Sequence, residues 1–240
     1  DMLLKLARLE GVPPGEIMLI CGVGSMTVIF LISALRGKIS HLQPYRWRGL
    51  AVLGLCQLGG FLCLMLALPL LPLANIYVVS FLTPMTVACM AAVFLKERMG
   101  GKRAAAIAAG FAGVVVAVNP ANLIGHSGAG LPYLFLFVSM MGSSIQMFLL
   151  RAAAGKEKSE CTAFYPRGIV ALGGLAFCAA TGFVAMKPWV FLALCGSGAL
   201  GGLGWALIAQ AYKNAPAAAV APFQYSQMIT GALFGYLLWH

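Results

Sequence analysis

The sequence predicts an all-α fold, a polytopic transmembrane helix bundle built from two inverted five-helix repeats, with eight full spans and the stub of a first helix in this chain. Three observations lead there. Apolar residues make up 61% of the 240 and charged residues 9%. A soluble domain carries roughly a quarter charged residues, so this chain could not cover a water-facing surface. Disorder needs low hydrophobicity and high net charge, and is excluded by the same composition. The second observation is a series of uninterrupted apolar runs, and the third is a self-similarity at a fixed offset.

The runs are residues 17–35, 49–68, 73–95, 104–118, 131–150, 168–186, 189–209 and 217–239, together 160 residues without one Asp, Glu, Lys or Arg. A helix needs roughly 20 residues to cross about 30 Å of hydrocarbon. The run 104–118 is short and relies on Lys102 and Arg103 snorkelling at one end. Pro13–Pro14, Pro69, Pro72, Pro120, Pro132, Pro188 and Pro216 sit at or beside run ends, where a missing N–H matters least. Membrane strands would show alternation over about ten residues, and these runs are apolar throughout. Residues 1–9 read as the tail of a preceding helix, and the chain stops at His240 directly after a span, so the sequence reads as a fragment.

The sixteen Lys and Arg fall between the runs. Thirteen, Arg167 among them, lie on one side, and only Lys5, Arg8 and Lys187 on the other. That asymmetry puts the basic side in the cytoplasm, as expected of a multi-pass protein of the inner membrane. The same distribution argues against nucleic acid despite the net charge of +10. Seven Cys without a paired CxxC unit imply neither a disulfide framework nor a metal site, and no cofactor is expected.

Shifted by 144, residues 50–96 align with 194–240 without a gap, and eight of 47 positions are identical, Gly54/Gly198, Gly60/Gly204 and Pro72/Pro216 among them. An offset of 146 places Lys5 on Arg151. Residues 1–120 therefore form a first repeat with a truncated first helix, and 121–240 a second that lacks its last helix. An odd number of helices per repeat inverts the second copy, an architecture that encloses a central site.

Leu71–Pro72–Leu73–Ala74–Asn75, Ser80–Phe81–Leu82–Thr83–Pro84, Phe94–Leu95–Lys96–Glu97–Arg98 and Gly110–Phe111–Ala112–Gly113–Val114 resemble the EamA-type half of the drug/metabolite transporter superfamily, and Tyr212–Lys213–Asn214–Ala215–Pro216–Ala217 resembles the matching part of the second half. The resemblance implies ten helices, both termini of the intact protein cytoplasmic, and export or exchange of small metabolites through a central cavity. The second half departs from the pattern, since Met228 stands where Pro84 would recur and Pro222 lies six positions earlier.

Ser80, Thr83 and Thr86 recur every three residues, and the 144 shift places them on Gln224, Gln227 and Thr230. These six are read as two walls of a midplane binding cavity, against interhelical hydrogen bonding or hydroxyls bonded back to their own helix. Tyr77, Trp205 and Tyr225 are candidates for stacking on an organic solute, and Gln57, Gln146 and Gln210 for polar contacts to it. Pro84 would free carbonyls in mid-span, and Glu97 is a candidate gating charge that changes partner. Glu16 suits a helix start.

With no Asp, Glu or His inside a run, an intramembrane enzyme lacks its general base or metal, and a proton relay lacks its carboxylate. The function expected is secondary transport by alternating access, as efflux or exchange, of a small neutral, zwitterionic or cationic metabolite such as an amino acid, its derivative or a toxic compound. No cation within a run offers a countercharge to a polyanion. A non-transporting membrane sensor or assembly subunit is the alternative. The expected partners are a small-molecule solute and the lipid bilayer, with a homodimer left open.

Overall fold

The structure is a computed structural model that describes residues 2–96, 101, 105, 108, 109, 112, 130–153, 157–220 and 223. The helices are α1 (Met2–Leu9), α2 (Pro14–Leu35), α3 (Trp47–Ala67), α4 (Leu73–Ser80), α5 (Leu82–Phe94), α6 (Gly130–Ala152), α7 (Ser159–Thr181), α8 (Pro188–Asn214) and the short α9 (Ala217–Val220). A 3-10 turn at Ile39–Leu42 precedes α3. No strand occurs among the described residues. Six segments are long and apolar enough to cross a membrane: α2, α3, Asn75–Phe94, α6, α7 and α8. The predicted runs 104–118 and 217–239 lie largely outside the described residues.

The helix ends follow local chemistry. Pro14 and Pro188 open α2 and α8 at positions whose N–H has no intrahelical partner. Gly182, at φ 84°, follows α7 with its N–H on the Cys178 carbonyl. That left-handed backbone favours a residue without Cβ. The span over Asn75–Phe94 is discontinuous, with Phe81 between α4 and α5. Pro84 has no N–H to give the Ser80 carbonyl, so the ladder is interrupted near the middle of the span.

Helix α2 is the centre of the bundle, packed on α7 and on α8, while α3 packs on α6 and on α7, and α5 on α6. Small residues set these crossings. A Cβ on Gly22 would stand 2.8 Å from the Ala171 Cβ, and one on Gly198 2.9 Å from the Cys21 Cα. Without a hydrophobic driving force between helices in lipid, such close backbone approach and its dispersion contacts hold the spans together. The glycine pair Gly198 and Gly202 thus packs on α2, as the small-residue spacing suggests.

Buried apolar side chains form two clusters. One gathers Ile17 and Cys21, Met65 and Leu68, Leu136 and Met140, and Val190 and Leu194. The other gathers Ile29, Leu50 and Leu53, Met147 and Leu150, Cys161 and Ala163, and Ala209 and Tyr212. Along α2, α3 and α6 the clusters occupy opposite ends of each helix, and the buried polar residues Ser25, Gln57, Ser144 and Gln146 fall in the interval between them. Thr83 fills the corresponding interval on α5. A polar layer therefore crosses the bundle between two apolar ones.

One sequence expectation is corrected here. Arg167 is not in a connection, and the span does not start at Gly168. Helix α7 begins at Ser159, which places Arg167 eight residues along it, about 12 Å by helical rise. The apolar run ends at Arg167 because that residue is charged, whereas a hydrogen-bonded and packed guanidinium continues a helix without penalty to its backbone. Glu16 lies in the first turn of α2, as its place at a helix start suggests, and is 2% exposed. Its Oε1 accepts the Val184 backbone N–H and its Oε2 has no partner.

Candidate functional site

The polar layer acquires a charge from Arg167, which is 8% exposed. Pro166 precedes it inside α7, and the turn before carries Ala163 of the apolar cluster, so the side chain leaves the helix toward the bundle interior. Helix α3 brings Gln57, helix α6 brings Gln146 and helix α8 brings Trp205 to it. The Gln57 carboxamide is oriented with its oxygen toward the guanidinium, 2.9 Å from Nη1, 3.1 Å from Nε and 3.1 Å from Nη2, and its nitrogen lies 3.2 Å from the Gln146 amide. This orientation is the one that satisfies the hydrogen-bonding network. The Trp205 ring centroid is 4.8 Å from the Arg167 Cζ, in cation–π contact.

Those three nearly equal distances fix where Gln57 sits. An acceptor in the plane of a guanidinium, at its rim, reaches at most two of the three nitrogens, and the third is far away. An oxygen equidistant from all three lies over the flat face. Gln57 therefore covers a face of Arg167, and Trp205 offers it a π-surface rather than a lone pair. The five N–H donors, which point outward in the plane, meet no acceptor at the rim among the described residues.

Nor is there a carboxylate for the charge. Of the six acidic residues, four lie among the described ones. Glu10 pairs with Lys187 at 2.6 Å. Glu16 holds the Val184 N–H. Glu157 accepts the backbone N–H groups of Tyr45 and Arg46. Glu160 faces His41 at 3.5 Å and accepts the Ser159 hydroxyl. A cation in mid-span costs about 2.5–3.5 kcal/mol on insertion scales and is placed there for a partner or a pathway.

The other predicted site residues are distributed as follows. Ser80 ends α4, half-buried, and Thr83 and Pro84 are buried in α5. Thr86 gives its hydroxyl to the Leu82 carbonyl at 2.9 Å and lies 3.9 Å from the Met140 Sδ, so it is satisfied largely within its own helix. Tyr77 is half-buried and stacks on Phe81 with ring centroids 6.5 Å apart. Gln210 is exposed and borders a crevice of about 30 Å³ with Ser33, Arg36, Lys38 and Glu160, away from Arg167. Glu97, Gln224, Tyr225, Gln227 and Thr230 lie outside the described residues. Among the described residues no group of three His, Cys, Asp or Glu is arranged to hold a metal ion.

Three of the predicted residues, Gln57, Gln146 and Trp205, thus converge on a fourth that the sequence reading placed in a connection. The signal that would have found it is present: Ser159 and Glu160 are typical of a helix's first turn, and starting the helix there carries Arg167 into the span.

Six apolar spans around a polar layer define a multi-pass membrane protein. Residues 2–119 match the EamA-like transporter family, consistent with the drug/metabolite transporter superfamily. No curated protein matches the chain.

Proposed function

We propose that this protein is a secondary transporter that carries a small organic metabolite across the cytoplasmic membrane by alternating access, as an exporter or exchanger. The observation that carries this reading is the layer of Gln57, Gln146, Arg167 and Trp205 held between two apolar clusters, in a bundle whose residues 2–119 match a transporter family. Such a layer offers a solute polar contacts at the depth where lipid offers none.

Several features support two inverted halves around it. The contact of α8 with α2 has a counterpart in that of α3 with α7, where Gly54 meets Ile169 as Gly198 meets Cys21. Lys5 donates to the Leu71 carbonyl at 2.8 Å, and Arg151, its partner at offset 146, donates to the Tyr212 carbonyl at 3.1 Å. Both cations thereby serve carbonyls around the C-terminal ends of α3 and α8, the helices matched at offset 144. The discontinuity at Phe81 is of the kind that lines transporter cavities and serves as a hinge. Ser80, Thr83 and Tyr77 on this span, with Gln224, Gln227 and Thr230 on the opposite one, are the walls in this reading.

The positive charge of Arg167 argues against a cationic solute and favours an amino acid or related metabolite among the expected classes. The test is uptake into liposomes bearing the intact protein, incubated with a water-soluble metabolite extract and read by mass spectrometry. Protein-dependent accumulation of a small set of solutes is expected. Accumulation no different from protein-free liposomes, with the protein folded, leaves the sensor or assembly-subunit reading instead.

A further inference from the structure

The geometry points to a carboxylate-binding site at Arg167, so that the transported solute is a small organic acid or zwitterion whose carboxylate docks on the rim of this guanidinium. The inference rests on the transporter reading and deepens it by naming the substrate class.

Three facts combine. The guanidinium is buried, and the four described carboxylates are all engaged elsewhere, so the positive charge is without a counter-ion among the described residues. Its face is held by the Gln57 oxygen, within 2.9–3.1 Å of all three nitrogens, and it packs against the Trp205 ring, which fixes the plane, while no other acceptor meets the in-plane N–H groups at the rim among the described residues. A planar fork of donors held in this way matches a carboxylate, which accepts two parallel N–H···O bonds coplanar with it. Charge matching selects the class further. One guanidinium neutralises one negative charge, and a phosphate dianion or a polyanion would bring excess charge into a layer with no other described cation to meet it. The Gln146 amide beside Gln57 can serve a second polar group of the solute, and the Trp205 indole its apolar part.

The experiment uses the liposome uptake assay with the intact protein, adding competitors of one shape and different charge: propionate, propionamide and inorganic phosphate. Accumulated solutes should carry a free carboxylate, and propionate should reduce their uptake while propionamide and phosphate do not. Arg167→Gln should lower that uptake about tenfold or more, the scale of a lost charge-assisted pair. Arg167→Lys keeps the charge without the fork and should raise the apparent KM while the same solutes are still carried. If Arg167→Gln does not fold, competition on the unaltered protein decides alone. Accumulated solutes without a carboxylate, inhibition by phosphate or propionamide but not propionate, or undiminished uptake by a folded Arg167→Gln each overturn the site while leaving transport standing. Absence of any protein-dependent uptake removes the transport reading, and this inference with it.

Discussion

Gly202 of α8 lies so close to Ser25 of α2 that a Cβ added to it would stand 2.6 Å from the Ser25 carbonyl oxygen. One turn away the Ser25 hydroxyl donates to the Gly198 carbonyl at 2.8 Å. The two helices are thus held backbone to backbone, and neither can yield without the other moving. Gly202→Ala should therefore destabilise the protein by about 1–3 kcal/mol, the usual scale of overpacking. Thermal unfolding in detergent checks this against Gly204→Ala, a position with nothing within 4 Å, which should unfold as the unaltered protein does.

The stacking of Gln57 on Arg167 gives a second prediction. Gln57→Leu removes the acceptor from a buried cation and should cost about 1–3 kcal/mol. Gln57→Glu supplies an internal carboxylate, so it should raise the melting temperature and lower solute uptake by about tenfold, because the protein's own anion then occupies the charge. A Gln57→Glu variant that melts below the unaltered protein and keeps full uptake would contradict both the geometry and the role.

Glu16 is buried with one oxygen on the Val184 N–H and the other unpartnered. Glu16→Gln retains an acceptor for that N–H and supplies a donor, so stability should be unchanged or higher. Glu16→Ala leaves the N–H of Val184 unpaired and should lose about 1–3 kcal/mol. The two melting curves distinguish a structural clamp from an indifferent charge.

Thr86 and Pro84 separate back-bonding from hinge. The Thr86 hydroxyl is taken by the Leu82 carbonyl, so Thr86→Val should change stability by less than about 1 kcal/mol and leave uptake within about twofold. Pro84→Ala restores the N–H that the Ser80 carbonyl lacks, which should straighten the span, hold or raise the melting temperature and slow uptake severalfold.

The division between what the residues announced and what the packing decided is clear in α3 and α7. Hydropathy alone identified α3, and Gln57 stood out within it as an amide on an apolar helix. The environment that gives Gln57 its role comes from three other helices and has no local signature. Arg167 was hidden by the property that makes it interesting, since a run defined by absence of charge ends wherever a functional charge occurs. The polar stripe at Ser80, Thr83 and Thr86 was visible by spacing, but spacing does not say which hydroxyl bonds back to its own helix, and Thr86 does.

The sequence by itself determined that this chain lives in a membrane and where most of its apolar helices lie along the chain. Those properties follow from transfer of apolar side chains out of water and from backbone hydrogen bonds that close within a single helix. Only the tertiary structure decided that a cation sits inside the bundle with an amide over its face, an indole beside it and no carboxylate against it among the described residues. That decision depends on which helix faces which, set by glycines that let α2, α7 and α8 touch, and contacts between residues more than a hundred positions apart leave no trace in local pattern.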